Sequence, residues 1–230
     1  MKWVKLMKNY DRKKPLIVIH LPKAGGTSFG KILRQWYGNK YYGFYYNLSK
    51  GKIPKKVRLK KFFSNQFREG ICIHGHFNKN RGVGIKKYYP EVDQFITIIR
   101  DPFEMAVSEY VFLKKTGKGY KDKLLDKDIE IYLTSCTPNI LSHFPFDLTM
   151  DNYKDLLEEN FIHIGITEDM DTSTRIIGEK LGFTIFPNVE ILNKTERIQR
   201  VPYELKKAFI EKHPVEYAVY EFAKANYNKY

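Results

Sequence analysis

No apolar run in this chain approaches the roughly 20 residues that a membrane-spanning helix needs. The opening stretch, Met1-Lys2-Trp3-Val4-Lys5-Leu6-Met7-Lys8, also lacks the apolar segment of a secretory signal. A soluble, cytoplasmic protein without a membrane span is therefore the expectation. Cysteine is nearly missing. Cys72 and Cys136 show no metal-ligand spacing, so neither a disulfide framework nor a metal site is expected and both should be reduced thiols. Repeats and low-complexity linkers are absent, and 230 residues without a compositional break read as one domain over 1–230, with 1–15 as a loosely held lead-in. Acidic residues are scarce in one half only. Through Arg100 there are 23 Lys/Arg against 4 Asp/Glu, while the remainder has 17 against 22, within a net charge of +14. A field of that sign suits anionic ligands such as nucleotides, nucleic acid or polyanionic glycans, although scattered lysines also serve plain solubility.

What is present is organised around residues 16–30. Leu16-Ile17-Val18-Ile19 reads as a strand buried inside a parallel sheet. Gly25-Gly26 reads as a tight turn where backbone can approach a ligand closely. A helix then opens at Thr27 and runs to about Tyr37, with Phe29, Ile32, Leu33 and Trp36 on one face and Gly38-Asn39 as its stop. A helix start offers N–H groups and a positive dipole end to an anion. Lys23 adds a full charge, and Thr27 and Ser28 add hydroxyls. The segment is not a Walker A loop, whose lysine follows its glycines beside the Ser/Thr that holds magnesium; here Lys23 precedes them and no GK[ST] exists. By itself the segment is equally an ordinary glycine turn beside a solvated lysine.

Further along, Gly70-Ile71-Cys72-Ile73 is a second strand that runs into His74-Gly75-His76-Phe77. Histidines at i and i+2 share a side if the strand continues, and the carboxyl edge of a parallel sheet is where ligands bind. A histidine there can serve as a general base. A zinc pair lacks a third ligand, and a hydrogen-bonded structural role is the plainer reading, more for His74 than for His76. Gln94–Ile99 is a third strand, ending at Arg100-Asp101-Pro102, where proline starts a helix to about Lys115. Arg100 and Ser108, eight residues on, can share one phosphate.

Residues 40–61 are rich in tyrosine and then in lysine, which suits sugar rings or single-stranded nucleic acid. A half-buried edge followed by a solvated helix fits equally and is favoured. Helices are expected over 128–135, 152–159 and 168–181, a strand over 161–166 with a structural His163, and two helices after Pro202 broken at Pro214. Residues 136–152, with Pro138, His143 and Pro145, read as a substrate-side loop. Strands alternating with helices give the fold class: α/β, a single three-layer domain with a central parallel sheet flanked by helices.

Four stretches together resemble one family. His20-Leu21-Pro22-Lys23-Ala24-Gly25-Gly26-Thr27-Ser28 is similar to the HIPKTGGTS-like 5′-phosphosulfate loop of the sulfotransferases that use 3′-phosphoadenosine 5′-phosphosulfate (PAPS), in the branch containing heparan sulfate 2-O-sulfotransferase. Arg100-Asp101-Pro102 through Ala106-Val107-Ser108-Glu109-Tyr110 is similar to its RDPxxRAVSxY segment, His74-Gly75-His76-Phe77 to its HGHF-like motif, and Leu192-Asn193-Lys194-Thr195 to its late NxS/T loop. Met105 departs from the pattern, standing where an arginine is common, and the region between Tyr110 and Phe161 has no alignable pattern.

The resemblance implies a P-loop-NTPase-like sulfotransferase fold and transfer of a sulfuryl group from PAPS to an acceptor hydroxyl, releasing PAP without a metal. It implies His76 as general base, with His74 orienting the acceptor or assisting, and Lys23 beside the bridging oxygen. Lys23, Ala24, Gly25, Gly26, Thr27 and Ser28 would hold the 5′-phosphate, Arg100 and Ser108 the 3′-phosphate, and Asn193, Lys194 and Thr195 would close over the nucleotide. The expected partners are the nucleotide donor and a hydroxyl acceptor, a glycan that is itself anionic or neutral, with no nucleic acid and no stated oligomer. Two other classes stay open at this point. One is a P-loop kinase or NTPase, for which Asp101 is the only nearby magnesium candidate. The other is a non-catalytic polyanion or nucleic-acid module built on residues 40–61.

Overall fold

The strongly β-branched stretches pair side by side. In a computed structural model that describes residues 7–46, 52–116, 128–136, 138, 140–186 and 201–229, Leu16–Ile19 (β1), Cys72–Gly75 (β3), Phe95–Ile99 (β4) and Phe161–Ile166 (β5) are buried along their whole length. Tyr41–Phe44 (β2), half-buried, adds the edge. All pairings are parallel and the spatial order is β2-β3-β1-β4-β5. Strands buried on both faces need apolar residues at every position, and alternation then assigns each to one of two cores. Ile17, Ile19, Ile71, Ile73, Phe95 and Ile99 enter the larger core; Leu16, Val18, Cys72, Ile96 and Ile98 enter the smaller. In β5 the register slips by one residue opposite Phe95/Ile96. Ile162 therefore faces the smaller core between Phe161 and Ile164 of the larger.

The smaller core is covered by Gly26–Tyr37 (α1), through Phe29, Ile32 and Leu33, and by Met170–Lys180 (α6), through Ile177. The larger is covered by Pro102–Thr116 (α3), Ile129–Ser135 (α4), Tyr153–Asn160 (α5), Tyr203–Lys212 (α7) and Pro214–Asn226 (α8). The short helix Ile85–Tyr88 (α2) precedes β4. This is the three-layer α/β arrangement expected from the sequence. No helix among the described residues is long and apolar enough to cross a membrane.

The chain leaves β1 for β2 and β3 on one side, then crosses to β4 and β5 on the other. That reversal opens a crevice beyond the carboxyl end of β1. The loops that enter it are those after β1, β3 and β4, which carry the sequence's motifs.

Residues 40–61 differ in part from expectation. The edge is there as β2, but the described residues after it, 52–61, form no helix. Pro54 supplies no N–H, the Val57 N–H donates to the Tyr89 hydroxyl at 2.9 Å, and Lys60 bridges Phe67 in antiparallel fashion. The segment spends its backbone groups on a hairpin instead. The hairpin's return arm is anchored at the amino-terminal ends of the strands: the Gly70 N–H donates to the Arg12 carbonyl at 3.0 Å, and the Arg68 guanidinium donates to the Tyr42 hydroxyl at 2.9 Å.

Candidate active site

The turn between β1 and α1 is held in left-handed backbone at two points. Gly25, the residue capping α1, has φ 74°, and Lys23 has φ 60°. Glycine adopts this without cost, whereas a lysine there is uncommon and needs surroundings that hold it. The Lys23 carbonyl accepts a hydrogen bond from the Arg100 guanidinium at 3.3 Å, and its ammonium lies 4.1 Å from the centre of the Phe112 ring. Burial, then the charge of Arg100, push the Lys23 pKa down, against a smaller pull from Glu109. Two cations kept close together at the start of α1 form a site suited to an anion. Ser28 is buried in the first turn, its N–H bonded to the Gly25 carbonyl at 3.1 Å.

Beside the turn lies a cluster of histidines and tyrosines. The His76 N–H donates to the Phe44 carbonyl at 3.1 Å, so strand pairing continues past β3 and His74 and His76 flank the same neighbour, His20. Ring centres are 5.1 Å apart for His20 and His74, stacked, and 4.1 Å for His20 and His76. Nδ1 of His76 lies 2.7 Å from the His20 carbonyl. A carbonyl only accepts, so Nδ1 carries the proton and Nε2 holds the lone pair. His74 Nδ1 lies between the hydroxyls of Tyr41 (2.9 Å) and Tyr45 (3.0 Å), and Tyr45 also reaches His20 Nδ1 at 3.0 Å. Parallel pairing sets Gly43 next to His74, and a Cβ at Gly43 would stand 3.3 Å from Tyr45 Cδ2, so the absent side chain leaves room for the tyrosine ring that reaches both histidines.

The helix α1 rests directly on these rings. A Cβ at Gly26 would stand 2.0 Å from His20 Cδ2, and one at Gly30, a turn later, 2.9 Å from His74 Cε1. On the far side, the 3₁₀ turn Leu141–His143 brings His143 to 6.4 Å from His76 between ring centres, and its Nε2 lies 3.4 Å from the Asn78 amide.

Burial, reinforced by the mutual proximity of the rings, pushes His20 down to about 2, and His74 and His143 each down to about 3. His76 is lowered as well, chiefly by burial, against the bond to the His20 carbonyl and with a smaller push from Arg81. Each histidine is thereby kept neutral near pH 7, the state in which an imidazole accepts a proton.

The third loop supplies Arg100 at the end of β4 and Ser108 on α3, buried. Asp101 between them is committed elsewhere. Its Oδ1 caps α3 by accepting the N–H groups of Phe103 (2.9 Å) and Glu104 (3.2 Å) and takes the Tyr217 hydroxyl at 3.2 Å, while Oδ2 holds the Lys206 ammonium at 2.8 Å. The kinase-like reading thus finds its magnesium candidate engaged in capping and an ion pair. Met105, where the resemblance has an arginine, packs into the larger core, a place that favours an apolar side chain.

Lys23 to Ser28, His76 and Arg100 therefore meet in one crevice. Of the two roles expected for His74, its place fits assisting rather than orienting an acceptor: at 1% exposure it stands behind the crevice, holding tyrosine hydroxyls. Asn193, Lys194 and Thr195 lie outside the described residues. Sequence reasoning did not single out His20, Tyr41, Tyr45 or Arg81. For the tyrosines a signal existed, the period-two spacing Tyr41-Gly43-Tyr45 on a strand; for Arg81 there was none.

Comparison with known proteins bears on the family and the fold. Residues 8–177 match the model of the Sulfotransferase family. The chain is 26% identical over 196 residues to mouse heparan sulfate 2-O-sulfotransferase 1, covering 70% of this chain and 53% of that protein, so it spans about half the length of this relative. The fold superposes on that of the mouse sulfotransferase SULT7A1, solved with PAP, at TM-score 0.52 and 14% identity over 93% of this chain and 90% of the other. With the match running from the residues before β1 into α6, through the loops after β1, β3 and β4, the chain belongs to the sulfotransferase family.

Proposed function

We propose that the protein transfers the sulfuryl group of PAPS to a hydroxyl of a glycan. The carrying observation is the 2.7 Å bond from His76 Nδ1 to the carbonyl of His20, in the loop that leads into the turn 23–28, which leaves Nε2 as the proton acceptor. In the reaction the acceptor oxygen forms a bond to sulfur as the bond from sulfur to the bridging phosphate oxygen breaks. His76 Nε2 takes the hydroxyl proton, and Lys23 neutralises charge gathering on the leaving phosphate. The turn 23–28 and the start of α1 would hold the 5′-phosphate, and Arg100 with Ser108 the 3′-phosphate, by paired guanidinium donors and a hydroxyl. Asn193, Lys194 and Thr195 would close over the nucleotide by resemblance alone.

His74 acts through Tyr45 and His20, which fix the carbonyl that sets the His76 tautomer. The glycan acceptor is supported by the heparan sulfate named for the mouse relative and by the basic half of this chain. The test is transfer of labelled sulfate from PAPS to a glycan panel. His76→Ala should lower transfer by about 10²–10⁴-fold, the usual span for a general base, while binding of the 3′,5′-bisphosphate product stays near wild type. Loss of both together would remove the base assignment.

A further inference from the structure

Residues 52–68 carry seven Lys/Arg and no Asp/Glu. Within them three large apolar side chains stand in solvent: Ile53 (56% exposed), Phe62 (72%) and Phe63 (104%). The surrounding hairpin is built to hold them there. The Lys61 N–H donates to the Gln66 carbonyl at 2.9 Å and the Arg68 N–H to the Leu59 carbonyl at 2.7 Å, while Leu59 is buried and Phe67 packs against the larger core. The tip, Phe62-Phe63-Ser64-Asn65, projects from that anchored base. Phe63 has φ 59°, a left-handed conformation that a bulky residue rarely adopts. Two adjacent exposed phenylalanines, one in strained backbone, point to a role outside the fold.

We infer that this hairpin docks the protein on an anionic lipid bilayer surface. The pattern is that of interfacial anchors: aromatic side chains enter the boundary between headgroups and acyl chains, and a collar of lysine and arginine faces the negative headgroups. Here Phe62 and Phe63 form the wedge, and Lys55, Lys56, Arg58, Lys60 and Lys61 form the collar. A groove of about 700 Å³ beside the hairpin is lined by Lys56, Arg58, Lys60, Lys61 and Phe63, with Glu91 its one acid. The hairpin's anchors at the amino-terminal ends of the strands leave the crevice of His76, at the carboxyl ends, free to meet its substrates.

Single-stranded nucleic acid also favours exposed aromatics among cations, but it needs ring faces open for stacking. The Arg58 guanidinium covers the Phe62 ring at 3.7 Å, and the Phe62 and Phe63 rings are tilted by 47° at 6.3 Å, so they form no successive platform. The same covered and tilted rings offer sugar rings no shared platform, and a soluble polyanion that engages only the cations leaves Ile53 in solvent.

The experiment is co-sedimentation of the full chain with phosphatidylcholine vesicles, with and without about one-third phosphatidylserine. Binding is expected only to the anionic vesicles and should weaken with salt. The Phe62→Ser/Phe63→Ser pair should lower it about tenfold with the thermal transition unchanged, whereas Phe62→Leu/Phe63→Leu should retain it. A single-stranded oligonucleotide and dextran sulfate serve as competing ligands, whose binding should be indifferent to the serine pair. Absence of binding to anionic vesicles overturns the inference. So does vesicle binding unchanged by the serine pair, or a loss confined to the oligonucleotide.

Discussion

At Arg100 two duties meet in one side chain. Its guanidinium donates to the Lys23 carbonyl and lies 3.9 Å from the Glu104 carboxylate, so it is already aimed at the turn that would hold the donor's phosphates. A hydrogen bond to a charged group is worth about 1.5–3 kcal/mol, and Arg100→Ala should weaken binding of the 3′,5′-bisphosphate by about 10- to 100-fold. Calorimetry on the folded variant reads this directly, and unchanged affinity would count against a 3′-phosphate site here. The sequence made Arg100, Lys23 and His76 legible because each sits in a short motif at a strand end. His20 sat in the same motif without a role, since what matters about it is its backbone carbonyl and its ring position. Neither is a property of residue type.

At the scale of elements, the decisive contact is α1 lying on the His20 and His74 rings. Gly26→Ala would drive a methyl group into His20, whose ring is tied to Tyr45 and flanked by His74 and His76 and so has little room to yield. Overpacking of this kind costs about 1–3 kcal/mol, and any shift of the ring also moves the carbonyl that orients His76. Urea unfolding should show that loss together with reduced transfer; a variant with wild-type stability and activity would mean that α1 can slide.

Most elements were readable from periodicity, since buried parallel strands are continuous apolar runs and α1 has a clear apolar face. The edge strand β2 was harder. Its half-buried tyrosines suggest an edge, but only pairing with β3 fixes its bounds and register. The run 52–61 was harder still: its lysines suit a solvated helix by composition, and only the pairing of Lys60 with Phe67 and the bond from Val57 to Tyr89 give it another shape.

For the whole molecule, the buried neutral histidines tie stability to pH. Burial pushes His20 down to about 2, His74 and His143 to about 3 and His163 to about 4, from an ordinary 6.5. On acidification the unfolded chain takes up these protons first. The stabilisation is therefore intact above pH 6.5 and declines as pH falls from 6.5 towards 4, by about 1.4 kcal/mol per pH unit for each histidine that stays neutral in the fold. Denaturation midpoints measured between pH 7 and 5 should fall steeply, and a flat profile would show that the cluster protonates without unfolding. The acid limb of the activity profile should lie below the ordinary histidine range, because burial lowers the His76 pKa and so keeps Nε2 unprotonated to lower pH.

The sequence by itself determined the α/β class, the glycine turn between the first strand and its helix, the histidine and arginine at successive strand ends, and the concentration of positive charge in the first hundred residues. These are set by local composition and by period, which a chain carries before it folds. The tertiary structure alone decided which atoms face each other. It put a carbonyl of one loop against the ring of another, gave His76 its tautomer, took Asp101 for a helix cap, and set His74 behind the crevice. The physical reason is that hydrogen-bond partners and burial are properties of distance in space, and the residues involved lie as much as 116 positions apart in the chain.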